Sequence, residues 1–182
     1  MSGLHTMKPR IVSERCEIFR NEFLRLYSVK AQFDHVTKEY FVTEKGTRVG
    51  AIILRDGHVL LVRQYRFLIN GYSWELPGGG VQPDETFEEA IVRECREEAG
   101  LVCHSLSHFY DYLLGTDVSD SPVHLFTCSD FSTGDGIGDR QETDAQEWVS
   151  LADCMQRIWR REIQDSMTIL ALMAYTCRNA GI

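Results

Sequence analysis

The sequence predicts an α/β fold with an N-terminal β-strand arm, and three features of the chain predict it. Residues 21–42 alternate roughly between aromatic or β-branched and polar side chains, as half-buried strands do. Two apolar runs, 48–54 and 58–64, flank Arg55-Asp56-Gly57, and Asp-Gly between such runs is a strong hairpin signal. Residues 79–101 read GGVQPDETFEEAIVRECREEAGL, a glycine turn running into a capped helix.

Taken in order, residues 1–20 are polar and carry no pattern, as a tail would. Residues 21–42 predict two or three strands. These either complete the core sheet or form an arm that pairs with a second subunit. The second strand of the hairpin closes on Arg63-Gln64-Tyr65-Arg66, where two arginines are either solvated edge charges or aimed at phosphate, which guanidinium binds through two parallel N–H groups. Residues 72–77 (YSWELP) lead into Gly78-Gly79-Gly80, and a strand, glycine turn and helix in succession suit a phosphate.

The helix start is legible from Thr86 and Glu89, which have capping-box spacing behind Pro83-Asp84; Gly100 stops the helix in the left-handed conformation. On a helical wheel Glu94 and Glu98 share a face with Phe87 and Ile91, and Glu97 flanks them. A core-facing stripe with two unpaired carboxylates is very costly, and like charges four apart repel. A bound cation removes the conflict. Mg2+ prefers hard oxygen ligands and suits clustered carboxylates with a substrate phosphate. The plain alternative is an acidic helix splayed into water.

Beyond the helix, residues 105–114 and 123–128 predict strands joined by a loop over 115–122. Residues 129–139 (SDFSTGDGIGD) predict a mobile loop. The WVSL run predicts a last strand, and 151–179 one or two amphipathic helices. At 182 residues the chain can bury a proper core, and its apolar and charged fractions are ordinary. The formal charge of −8 argues against a nucleic-acid surface, though not against a small phosphorylated substrate. Cys16, Cys95, Cys103, Cys128, Cys154 and Cys177 form no CxxC pair, which favours a reducing compartment. No apolar run reaches a membrane span and MSGLHTMKPR lacks a signal-peptide core, so a cytoplasmic protein without a membrane partner is expected.

The spacing of Gly79, Glu85, Arg93, Glu94, Glu97, Glu98, Gly100 and Leu101 resembles the Nudix box, G-x5-E-x7-R-E-U-x-E-E-x-G-U, with Cys95 at one aliphatic position. The string VRQYR…WELPGG resembles the ADP-ribose and nucleoside diphosphate sugar pyrophosphatase branch in particular. The resemblance implies an α/β/α sandwich around a mixed β-sheet in residues 46–182, with residues 1–45 as tail and dimerising strand arm. It implies a hydrolase that cleaves a nucleotide sugar (ADP-ribose-like or an ADP- or GDP-hexose) with Mg2+, or alternatively Mn2+.

By the same resemblance the metal ligands are Glu94, Glu97, Glu98 and the Gly78 carbonyl, and the catalytic groups Glu142, Glu97 and Arg93. Glu142 is the base, with Asp144 and Glu147 as rivals, on a loop that closes over the site. Arg93 braces the glutamates, Arg66 and Glu75 meet substrate, and Gly79, Glu85 and Gly100 support the box. The proline that ADP-ribose hydrolases carry about fifteen residues past the box is absent; Leu114-Gly115 stands there and the nearest is Pro122, which leaves other sugars open. A nucleoside triphosphate pyrophosphatase and a non-catalytic nucleotide-sugar sensor are the alternative readings.

Overall fold

A computed structural model describes residues 8–134 and 143–181. In chain order the elements are β1 (Ile11–Val12), β2 (Cys16–Arg20), β3 (Arg25–Gln32), β4 (Thr37–Glu44), β5 (Arg48–Arg55), β6 (His58–Arg66), a 3-10 turn (Phe67–Ile69), β7 (Gly71–Glu75) and β8 (Gly78–Gly80). There follow α1 (Phe87–Ala99), β9 (Leu101–Gly115), β10 (Ser119–Thr133), β11 (Thr143–Ser150), α2 (Leu151–Trp159) and α3 (Ser166–Ala180). The chain divides into two compact units, Met1–Gly46 with Leu113–Pro122, and Thr47–Tyr112 with Val123–Ile182.

In the first unit β3 and β4 form an antiparallel hairpin from Arg25↔Glu44 to Gln32↔Thr37. β1 and β2 both add antiparallel to β3. Residues 11–20 are therefore not all tail. Their strands are exposed along their whole length and so show no alternation; β3, not their own pattern, sets their register. The loop expected over 115–122 also shrinks to a turn at residues 116–118, because Thr43 N–H donates to Val118 O (2.8 Å) and Lys45 N–H to Ser121 Oγ (2.8 Å), which draws 119–122 into β10. Tyr27 is buried here and its hydroxyl donates to Asp120, which also takes Arg15 at 3.0 Å.

The second unit is a mixed sheet covered by helices. β10 runs parallel to β5 from Val123↔Arg48 to Cys128↔Ile53, whereas β6 pairs antiparallel with β5, β7 and β11. Side chains alternate across the sheet. Val49, Ala51, Ile53, Leu60 and Val62 pack on Ala90, Ile91, Cys95 and Ala99 of α1. Ile52, Val59 and Leu61 face the other way, onto Cys154 of α2 and Met167, Ala171 and Leu172 of α3. Burial on both faces explains why β5 and β6 read as unbroken apolar runs. The α/β/α sandwich implied by the resemblance is the observed architecture.

Gly78–Gly80, expected as a turn, is a short strand. Val49 pairs with Gly79 and Gly50 with Gly78, so β8 lies antiparallel on β5. Side chains would forbid this approach: a Cβ on Gly78 would sit 2.3 Å from Val49 O. The turn comes later, where Asp84 takes φ 63°. β10 likewise reaches Thr133, so 129–133 is strand, not loop.

Candidate active site

The site is built on α1, whose start is fixed as its sequence demands. Thr86 Oγ1 accepts from Glu89 N–H (3.2 Å) while Glu89 Oε2 accepts from Thr86 N–H (2.8 Å), the reciprocal bonds of a capping box. Gly100 ends the helix at φ 64° and its N–H returns to Arg96 O at 3.1 Å. Between these caps Glu94, Glu97 and Glu98 leave the helix near β8.

Glu98 is buried, and its Oε2 accepts from Gly78 N–H at 2.9 Å. Its Oε1 accepts from Gln64 Nε2, reaching from β6. Glu94 lies against Gly79 so closely that a Cβ there would fall 2.3 Å from Glu94 Oε1. Burial pushes the Glu94 carboxyl above its ordinary range, opposed by the hydrogen bond and charge of Arg93. Glu97 is half-exposed.

Arg93 ties the group together. Nε and Nη2 grip Glu85 at 2.9 and 3.1 Å, Nη2 also donates to Gly80 O (2.9 Å), and Nη1 reaches Glu94 (2.8 Å) and Glu97 (3.0 Å). Its hydrogen bond to Glu85 raises the Arg93 pKa further above normal, and the same bond holds the Glu85 carboxyl below its usual range. Gly78, Gly79, Glu85, Arg93, Glu94, Glu97 and Glu98 thus come together at one end of β8.

Two residues at this cluster carried little sequence signal. The sequence offers Gln64 only within the Arg63-Gln64-Tyr65-Arg66 close of β6, and Arg48 on β5, whose charge draws the Glu94 pKa down, only as the first residue of the run 48–54. Arg66 and Glu75 are paired with each other: Arg66 Nε meets Glu75 Oε1 at 2.8 Å, and Glu75 is buried while Arg66 is half-exposed. Arg63 instead grips Asp144 through Nε (2.9 Å) and Nη2 (2.8 Å), with its guanidinium 4.9 Å from the Tyr72 ring centroid. Glu147 takes Arg157 at 2.6 Å. Both rivals for the base therefore hold arginines. Glu142 lies outside the described residues.

The residues present fit a hard divalent cation. Three carboxylates and a backbone carbonyl are an all-oxygen donor set, and a partly buried carboxyl whose charge is only partly offset by arginine is the environment a cation relieves. The cradle exists only because Gly79 has no Cβ.

Comparison with known proteins gives a consistent picture. The family model described as NUDIX domain matches residues 44–168. An ADP-ribose pyrophosphatase from Bacillus subtilis (strain 168) is 23% identical over 171 residues, covering 90% of this chain and 91% of that protein. A CMP-5'-(N-acetyl-N-hydroxy-3-aminopropyl)phosphonate hydrolase from Streptomyces rubellomurinus (strain ATCC 31215) is 24% identical, covering 75% and 66%. The crystal structure of an ADP compounds hydrolase superposes with a TM-score of 0.81 at 21% identity, over 96% of this chain and 95% of that one.

Proposed function

The chain belongs to the NUDIX family of hydrolases, and from that premise we propose that it cleaves the pyrophosphate bond of a nucleoside diphosphate sugar, releasing a nucleoside monophosphate and a sugar phosphate. The observation that carries this reading is the gathering of Glu94, Glu97 and Glu98 around a glycine strand whose lack of side chains lets the carboxylates come close to its backbone. The ADP-ribose pyrophosphatase at 23% identity, matched nearly end to end, supports a nucleotide-sugar substrate.

Glu94, Glu97, Glu98 and the Gly78 carbonyl would hold Mg2+, with Mn2+ as the alternative. Bound there, the cation supplies positive charge to phosphate oxygens and acidity to water. Glu98 is oriented by the Gly78 N–H and the Gln64 amide, so its carboxylate is aimed before any ligand arrives. Arg93 spreads its charge over Glu85, Glu94 and Glu97, which lowers the repulsion among them without blocking every oxygen. Glu142 takes the proton from the attacking water. Arg66, anchored on Glu75, turns its remaining N–H groups to the substrate phosphate.

We infer further a homodimer formed through the N-terminal arm and a cytoplasmic location. Six free cysteines support the reducing compartment, and no helix among the described residues is long and apolar enough to cross a membrane.

The test is a substrate panel of ADP-ribose, ADP-glucose, GDP-mannose, dinucleoside polyphosphates and nucleoside triphosphates, assayed for phosphorylated products with Mg2+ and with Mn2+. One diphosphate sugar should turn over fastest, and Glu98→Gln should cut its rate at least about 100-fold, since several kcal/mol of charge stabilisation is lost. Preferential release of pyrophosphate from a triphosphate would replace the substrate class. Binding of diphosphate sugars without turnover would replace the enzyme with a sensor.

A further inference from the structure

A second set of metal-type ligands lies at the opposite end of α1 from the glutamates. His108 and Asp111 are on β9 and His124 is on β10. Asp111 Oδ1 lies 2.6 Å from His108 Nε2 and 2.7 Å from His124 Nδ1, and one ligand atom from each of the three residues falls within 4.8 Å of the others. Both rings are held in place. His124 stacks on Phe87, the first residue of α1, with centroids 3.9 Å apart and planes at 16°. His108 meets Phe126 edge-on at 5.7 Å. At a rise of about 1.5 Å per residue, Phe87 stands roughly 10 Å along the helix from Glu94, so the two ligand sets are separate.

We propose that His108, Asp111 and His124 bind one zinc-class divalent cation, independently of any ion held by Glu94, Glu97 and Glu98. Two imidazole nitrogens with one carboxylate oxygen are a borderline donor set that favours Zn2+, Ni2+, Co2+ or Cu2+, whereas Mg2+ and Ca2+ take oxygen alone. Zinc bonds of about 2.0–2.1 Å place tetrahedral donors roughly 3.3–3.5 Å apart. Asp111 therefore has to withdraw by less than about 1 Å from each ring, a side-chain rotation on a half-exposed strand.

Ligation needs the nitrogen of each ring that faces Asp111 to present its lone pair, with the ring proton on the other nitrogen. Both rings already aim the ligating nitrogen at a shared point, and their aromatic contacts do not involve it. The exposure of His108 and Asp111 gives the ion an entry path and leaves a fourth position to water. A hydrogen-bonded triad alone is the competing account.

The experiment uses the full chain in saturating Mg2+, so that oxygen-only sites are filled, and titrates Zn2+ calorimetrically. Wild type should bind one Zn2+ per chain more than His108→Ala or Asp111→Ala, while Glu98→Gln keeps that equivalent. Co2+ should give an intense visible band of tetrahedral coordination in wild type and in Glu98→Gln, absent from the other two variants. At about tenfold excess over its Kd, Zn2+ should raise the wild-type thermal midpoint by about 3–6 °C and leave His108→Ala unmoved. Metal-free midpoints and circular dichroism establish that both alanine variants fold; if one does not, the other carries the comparison. Equal Zn2+ stoichiometry in all four proteins, or no Zn2+ uptake by wild type, would overturn the site and leave the triad.

Discussion

Gly78 and Gly79 are adjacent and look alike in sequence, yet their neighbours differ in kind. The three atoms nearest to a Cβ on Gly79 all belong to the carboxylate end of Glu94, at 2.3–2.7 Å, and that end can swing away. A Cβ on Gly78 meets the backbone of β5, Val49 O at 2.3 Å and Gly50 Cα at 2.8 Å, which cannot. Gly79→Ala should therefore lose about 10–100-fold in activity with a nearly unchanged thermal midpoint, because it misdirects one carboxylate. Gly78→Ala should cost at least about 1–3 kcal/mol of stability by forcing β8 off β5. Equal midpoints for the two variants would contradict this geometry.

Asp144 and Glu142, the rival candidates for the base, differ in what their substitution should do. The Arg63 hydrogen bonds hold its carboxyl below the ordinary range. A folded-state pKa below the unfolded value stabilises above the unfolded pKa and is lost as pH falls through the folded one. Asp144→Asn should thus be slightly less stable than wild type at neutral pH, with the gap closing as pH falls below about 4, and its turnover should be unchanged. Glu142→Gln should lose about 10²–10⁴-fold in turnover with its stability intact. A larger catalytic loss in Asp144→Asn would move the base to that residue.

At the scale of elements, α1 was the most legible part of the chain because its signals are local. Cap, stop and carboxylate spacing all lie within the 15 residues from Thr86 to Gly100, and cap and stop are met as expected. Thr86→Ala removes the cap acceptor, so it should cost about 1 kcal/mol and lower the thermal midpoint by about 2–4 °C in a scanning experiment.

What was illegible depended on partners far along the chain. Glycines at 78–80 signal a turn by local chemistry; the pairing with Arg48, Val49 and Gly50 that makes them a strand is remote. β1 and β2 gave no periodicity because nothing buries either face. Gln64 and Glu98 meet across 34 residues, and the grip of Arg66 on Glu75 depends on the pairing of β6 with β7. The hairpin of β5 and β6 was read correctly because Asp56 and Gly57 both take positive φ at its tip, as their residue types favour.

At the scale of the molecule, the first unit presents a face that a lone chain leaves wet. Phe19 lies opposite Leu26, and Phe41 opposite Ser28, two residues further along the same side of β3. Phe19, Leu26 and Phe41 therefore share one face, and both phenylalanines are at least half exposed, at 50% and 57%. Single exposed apolar residues are unremarkable, but neighbours across adjacent strands form a patch of the kind interfaces use. If a second copy covers it, light scattering should give twice the chain mass for wild type. The double variant Phe19→Asp, Phe41→Asp should then give the mass of one chain, because a duplicated face buries each new carboxylate without a partner. A wild-type monomer, or a variant that still dimerises, would remove this face from the interface. The charge of −8 sharpens the expectation: chains that repel one another at long range associate only where apolar contact outweighs that repulsion, so dimerisation through this patch should strengthen as salt is raised.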